Sequence, residues 1–172
     1  MLERMPLSPP WRITSPFGPR RLTIDGVTTT RDHQGTDLSA AVGTPLYAMG
    51  AGFVRAVDVA GAGGGGRTLT IVDDADGEYT YAHLQTVAVV VGQRVRPGQQ
   101  VGTTGATGRV TGPHLHVQWR PVRGGPLASL DEILPILAPP APPVADAAPS
   151  GSGSGSGPAV ALVVAAVALL LK

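Results

Sequence analysis

The chain is 172 residues long and sets 13 basic side chains against 12 acidic ones, a net charge of +1 that offers no broad attraction for nucleic acid. That length holds one ordinary domain and a tail, with no room for a second core. Cysteine is absent, which excludes disulfides and thiolate metal ligands; any metal must be held by His and carboxylate, and the compartment stays open. Asparagine is also absent, so N-glycosylation is excluded.

In chain order, residues 1–10 contain Glu3 and Arg4 but lack the apolar run of a secretory signal peptide, so export by that route is not expected. From about Trp11 to Arg120, short β-like runs alternate with Gly-rich punctuation, at 52–59, 67–73, 79–82, 99–102 and 114–119, a pattern that predicts a mostly antiparallel sheet. The 24 glycines and 17 prolines suit such a fold of tight turns better than a helical bundle. Asp76-Gly77 marks a hairpin turn, because glycine tolerates positive φ. Residues 128–137 predict one short helix, with Ser129 as N-cap and Glu132 as its capping-box partner, until Pro135 interrupts it. Residues 138–157 read as an Ala/Pro and then Gly/Ser linker, semi-rigid first and flexible afterwards. The chain ends in 13 consecutive apolar residues, 159–171, before Lys172. A helix of that length reaches only about 20 Å against a hydrocarbon core of roughly 30 Å. The segment 158–172 is thus either a membrane-associating helix or a sticky terminal helix.

The four histidines are the most informative feature. His33-Gln34-Gly35-Thr36-Asp37 puts an imidazole and a carboxylate on one short loop-to-strand segment, half of a possible zinc site, although HxxxD alone is common. In His114-Leu115-His116, side chains two apart on a strand enter one cavity while Leu115 turns into the core. Taken alone, such a pair is more often two idle strand histidines. His83 ends a predicted strand, and alternation places Tyr81 on its face, where the phenol would donate near the site. A lone histidine there is ordinarily a satisfied or surface residue. Taken together, the four histidines and Asp37 fill the places that one mononuclear site needs.

These motifs resemble the lysostaphin-type, or LytM-type, family of peptidoglycan zinc metalloendopeptidases. The resemblance runs from Ile13 to about Arg120. It includes Ser15-Pro16-Phe17-Gly18-Pro19-Arg20, the His33 to Leu38 segment, Gly43-Thr44-Pro45-Leu46-Tyr47-Ala48, Tyr81-Ala82-His83-Leu84, Gly98-Gln99-Gln100-Val101-Gly102 and Thr111-Gly112-Pro113-His114-Leu115-His116. It implies a compact antiparallel β-sheet domain with a duplicated hybrid motif, here within residues 1–137 with its core at about 11–120. Behind it come a disordered linker and a short hydrophobic helix. It further implies one Zn²⁺ per chain on His33, Asp37 and His116, with His83 and His114 as the catalytic pair. Three protein ligands leave a coordination position for water, the mark of a catalytic zinc. Imidazoles with ordinary pKa near 6.5 suit both general base and general acid, and the assignment between the two stays open. The implied partners are peptidoglycan peptides, acted on at the cell wall by a monomer. A phage lysin or virion-associated hydrolase would reach the wall without a signal peptide.

Departures from the family lie off the metal: the 61–66 glycine run replaces a Gly-Asn turn, and Val117-Gln118 stands where Phe-Glu is common. Asp32 beside His33 is expected to be solvent-exposed or to orient a ligand, and Arg20 to brace its loop or to contact a substrate carboxylate. Gly61, Gly63 and Gly66 fit G-x-G-x-x-G, but a strand follows them, so they form a flexible hairpin loop and no pyrophosphate cradle. Asp73, Asp74, Asp76 and Glu78 lack calcium-loop spacing and mark a turn. Two other readings stand beside the hydrolase. One is a non-catalytic wall-binding or hydrolase-activating relative, a role in which the ligands are typically lost. The other is a membrane-disrupting lysis protein with the tail as effector.

Overall fold

The computed structural model describes residues 1–24 and 27–139. Its strands are β1 (Ile13–Ser15), β2 (Gly18–Ile24), β3 (Val27–His33), β4 (Thr36–Ser39), β5 (Pro45–Tyr47), β6 (Gly52–Asp58), β7 (Thr68–Asp73), β8 (Glu78–Ala82), β9 (Leu84–Val87), β10 (Arg94–Val95), β11 (Gln100–Thr104) and β12 (His114–Arg120). They form a seven-stranded sheet ordered β1-β4-β12-β8-β7-β6-β10, a three-stranded sheet β5-β11-β9 and the hairpin β2-β3. Every strand pairing is antiparallel, as the alternating pattern predicts.

Strand β12 shows how patterning becomes architecture. Its side chains alternate half-buried and buried, so Leu115, Val117 and Trp119 enter the core while His114, His116 and Gln118 take the other face. Lying between β4 and β8, the strand pairs Leu115 with Leu38 in the core, and His116 with both Asp37 and Ala82 on the opposite face. The core gathers Leu38, Leu69, Ile71, Leu84 and Leu115 under the sheets, joined by Leu2, Met5 and Leu7 from the N-terminal segment and Leu130, Leu134 and Leu137 from the C-terminal one.

Asp76-Gly77 does make the β7–β8 turn, but the left-handed residue is Asp76, at φ 64°. Gly77 is needed for a different reason: a Cβ there would stand 2.8 Å from the Asp73 carboxylate, which accepts the Ala75 and Gly77 amides at 2.8 and 3.0 Å. The helix expected over 128–137 is replaced by a single 3₁₀ turn, Leu134–Ile136. Pro135 supplies no N–H to a helical ladder and crowds the preceding turn. Ser129 Oγ does accept the Asp131 amide at 3.1 Å, but the Asp131 carboxylate is drawn away to β4 and to the β1–β2 loop. Of the expected linker, Ala138 and Pro139 are described, and both bond to the N-terminal segment. The rest of the linker and the apolar tail at 158–172 lie outside the described residues. Among the described residues no helix is long and apolar enough to cross a membrane.

Candidate metal centre

His33 closes β3, Asp37 sits one residue into β4, and His116 is its cross-strand partner on β12. A two-residue link, Gln34-Gly35, joins β3 to β4 and folds directly over His116. A Cβ at Gly35 would stand 2.7 Å from the His116 ring and 2.5 Å from the Val117 carbonyl, so only glycine fits. Ala82, the other neighbour of His116 across the sheet, is small enough to leave the imidazole room.

Hydrogen bonding settles which ring nitrogens face inward. His33 Nδ1 lies 2.7 Å from the Pro16 carbonyl, which can only accept, so Nδ1 carries the proton and Nε2 of the neutral ring keeps its lone pair. That lone pair is 3.1 Å from Asp37 Oδ1 and 3.1 Å from His116 Nδ1, while His116 Nδ1 is 2.7 Å from Asp37 Oδ1. Electron-pair donors packed this closely repel unless positive charge lies among them. Two imidazole nitrogens and a carboxylate oxygen form the donor set that a divalent cation such as zinc takes, so the three residues can hold a metal ion.

His83 and His114 complete the cluster. His114 Nδ1 donates to the Gly112 carbonyl at 2.9 Å, leaving Nε2 3.7 Å from Asp37 Oδ1. His83 Nδ1 donates to the Thr107 carbonyl at 2.9 Å, and the His83 ring centroid lies 4.8 Å from that of His114 and 5.8 Å from that of His116. Both rings are therefore held through Nδ1, which leaves Nε2 of each as the nitrogen able to accept a proton.

His83 does not share a face with Tyr81. It sits at φ 62°, and this left-handed residue turns its side chain out of the alternation of β8. Tyr79 and Tyr81 stay in the core, where the Tyr81 hydroxyl donates to the Tyr47 carbonyl at 2.8 Å. The expectation of a phenol at the site is thus corrected: burial raises the Tyr81 pKa far above its ordinary value, and its proton is committed elsewhere.

The electrostatics follow from the packing. Burial alone would raise the Asp37 carboxyl, but in the metal-free cluster the His116 and His33 rings pressed against it favour the ionised form more strongly and hold Asp37 well below the carboxylate range. Burial lowers the His83 pKa, so its ring stays neutral to more acidic pH than a free histidine.

A supporting shell surrounds these groups. Arg20 Nη1 donates to Ser15 Oγ at 2.8 Å and reaches Asp37 Oδ2 at 3.4 Å, so Arg20 braces the β1–β2 loop and the outer oxygen of Asp37. Asp32 is exposed. Asp131, which carried no signal in the sequence, accepts the Phe17 amide at 3.0 Å and the hydroxyl of buried Thr36 at 2.7 Å. It thereby links the loop whose Pro16 carbonyl orients His33 to the strand that carries Asp37.

Comparison with known proteins agrees with this geometry. A family model described as Peptidase family M23 matches residues 31–128. The peptidoglycan DD-endopeptidase ShyA of Vibrio cholerae is 39% identical over 139 residues, which cover 78% of this chain and 30% of ShyA. The chain thus spans about a third of the length of that relative. A zinc-containing peptidase from Vibrio cholerae superimposes with a TM-score of 0.63 at 33% identity, over 76% of this chain and 39% of the other. The catalytic domain of lysostaphin from Staphylococcus simulans superimposes with a TM-score of 0.62 at 28% identity, over 73% of this chain and 92% of that domain.

Proposed function

This chain belongs to peptidase family M23, and from that premise we propose that it is a zinc-dependent endopeptidase hydrolysing peptide bonds in bacterial peptidoglycan. The observation that carries the reading is the convergence of His33 Nε2, Asp37 Oδ1 and His116 Nδ1, with the rings of His83 and His114 beside them. His33, Asp37 and His116 would hold a single zinc ion. When bound, zinc supplies Lewis acidity that polarises a peptide carbonyl and brings the pKa of water from 15.7 toward about 7.

The chain's own residues do the rest. His83 and His114, each fixed as the Nδ1–H tautomer by a backbone carbonyl, present Nε2 to take a proton from the attacking water and to return one to the leaving amine. Because burial favours neutral His83, that ring is ready to accept a proton at neutral pH. Asp37 stays ionised whenever the protein is folded near neutrality and so keeps its charge for the cation. The non-catalytic alternative gains nothing from the geometry, since every expected ligand and proton carrier lies in one cluster. The place of action on this reading is the cell wall, in line with delivery as a phage lysin or virion-associated hydrolase. Association with a membrane through residues 158–172 is a separate proposal, tested by vesicle flotation of the full chain against a chain ending at Gly157.

The test is digestion of purified peptidoglycan by the zinc-loaded full chain, with released fragments identified by mass spectrometry. New amino termini should appear, vanish with chelator, and return on adding zinc; His83→Ala and His114→Ala should abolish them while still binding zinc. A folded, zinc-loaded chain that releases no peptide from several wall chemotypes would overturn the assignment in favour of a binding relative.

A further inference from the structure

The glycine run between β6 and β7 was expected to be a flexible loop, and half of it is not. Ala62, Gly63 and Gly64 are exposed, and a Cβ added to Gly63 or Gly64 would meet open space. Gly65 and Gly66 turn inward. The Gly65 carbonyl accepts the backbone N–H of His83 at 2.8 Å. Gly66 is buried at φ 61°, where a Cβ would stand 2.4 Å from the carbonyl carbon, carbonyl oxygen and Oγ1 of Thr107. That same Thr107 carbonyl accepts from His83 Nδ1 at 2.9 Å.

Further bonds lock the two loops together. The Arg67 amide donates to Thr107 Oγ1 at 2.9 Å, Thr107 Oγ1 donates onward to the Leu84 carbonyl at 3.0 Å, and the Arg109 amide donates to the Gly64 carbonyl at 2.8 Å. Gly108, at φ 78°, lies so near that its Cβ would fall 2.3 Å from the Gly66 nitrogen. His83 is therefore gripped at both ends, its amide by Gly65 and its ring by Thr107. A non-glycine residue at φ 62° persists only where its surroundings over-determine it, and this double grip does so.

We propose that the Gly65-Gly66 backbone, interlocked with Thr107, sets the tautomer and aim of His83, making Gly66 and Thr107 positioning residues for proton transfer. The inference rests on the reading of His83 as a proton carrier at the proposed site. Only a residue without a side chain lets the two backbones approach closely enough to hold the Thr107 carbonyl on Nδ1, and a fixed Nδ1–H leaves Nε2 as the proton acceptor of the ring.

The experiment compares Gly66→Ala with Gly63→Ala, an alanine in the exposed half of the same run, by ¹⁵N spectra of the His83 ring and by kinetics in the zinc-loaded full chain. Gly66→Ala should lose the fixed Nδ1–H signature and about 100-fold in kcat, the scale of a misplacement near 1 Å, with KM and zinc affinity unchanged. Gly63→Ala should match the parent in all four. Should Gly66→Ala fail to fold, Thr107→Val takes its place, removing the Oγ1 relay without a clash and producing the same signature in weaker form. The idea is overturned if the folded variant keeps the parental ring spectrum, or if zinc affinity falls in step with kcat, which would mark general disruption. A parent chain with no turnover would instead sink the hydrolase reading, and the ring spectra would still decide the positioning claim.

Discussion

Replacing Asp131 with alanine removes a carboxylate that reaches across the fold to Phe17 and Thr36, whose bonds to it are 3.0 and 2.7 Å long. Thr36 is 1% exposed, so its hydroxyl proton has no water to turn to and should cost close to the full penalty of an unpaired buried donor, about 2 kcal/mol. The Phe17 amide belongs to a half-buried residue that water can partly serve, which puts its loss at about 1 kcal/mol. The sum of about 3 kcal/mol corresponds to a fall in Tm of roughly 6–12 °C for a domain of this size. The same lesion loosens the Pro16 carbonyl that orients His33 and the strand that carries Asp37, so zinc affinity should drop roughly 10- to 100-fold. Asp131→Asn is the decisive companion. Its amide oxygen can accept from Phe17, but its NH₂ offers the Thr36 hydroxyl proton no acceptor, so it should recover the Phe17 loss and leave the Thr36 penalty in place. Thermal unfolding of the zinc-free chain and calorimetric zinc titration measure the two effects. A stability shift below about 0.5 kcal/mol with parental zinc binding in Asp131→Ala, or an Asn variant as damaging as Ala, would refute this bridging role of Asp131.

Other consequences are as specific. Leu115 is fully buried behind the two histidines of β12, so Leu115→Ala should cost about 2–5 kcal/mol in urea unfolding. Tyr81→Phe removes a buried hydroxyl that serves Tyr47 and faces away from the site; stability should fall by about 1 kcal/mol with kcat unchanged, and a large kcat loss would restore the phenol to the mechanism. For zinc-free protein the sign of the pH effect is fixed by His83, whose folded pKa lies below its unfolded value near 6.5. The folded state then binds fewer protons, so stability present above about pH 6.5 is lost as pH falls through the folded pKa. His83→Gln should lack this component, so the parent's advantage over it should shrink on acidification in a series of denaturation midpoints; an advantage that grows would reverse the assignment.

How much was legible beforehand depended on whether a residue's role was written in its own neighbourhood. Strand β12 announced itself, because strict alternation through His114, Leu115 and His116 both defines a half-buried strand and aims two imidazoles one way. Asp37 was equally readable from its distance to His33. Alternation failed at His83, since one left-handed residue there reverses the face that period-two counting assigns, and Tyr81 was misplaced with it. A helical pattern at Leu130, Leu134 and Leu137 survives as buried side chains, but Pro135 and the distant bonds of Asp131 leave only one 3₁₀ turn. Asp131 itself was invisible, as its partners lie 95 and 114 positions away in the chain. The glycine run misled for a related reason. Composition signals freedom, whereas the close approach of Thr107 to Gly66 is a tertiary fact.

The central question is whether His33, Asp37 and His116 bind a metal together. Zinc titration of the chelator-stripped full chain, combined with X-ray absorption at the zinc edge, measures this directly. It should give a single tight site with nitrogen and oxygen neighbours near 2.0–2.2 Å, weakened severely in His33→Ala, Asp37→Ala and His116→Ala alike. A chain that binds no zinc, or one whose affinity survives loss of His116, would contradict a shared site.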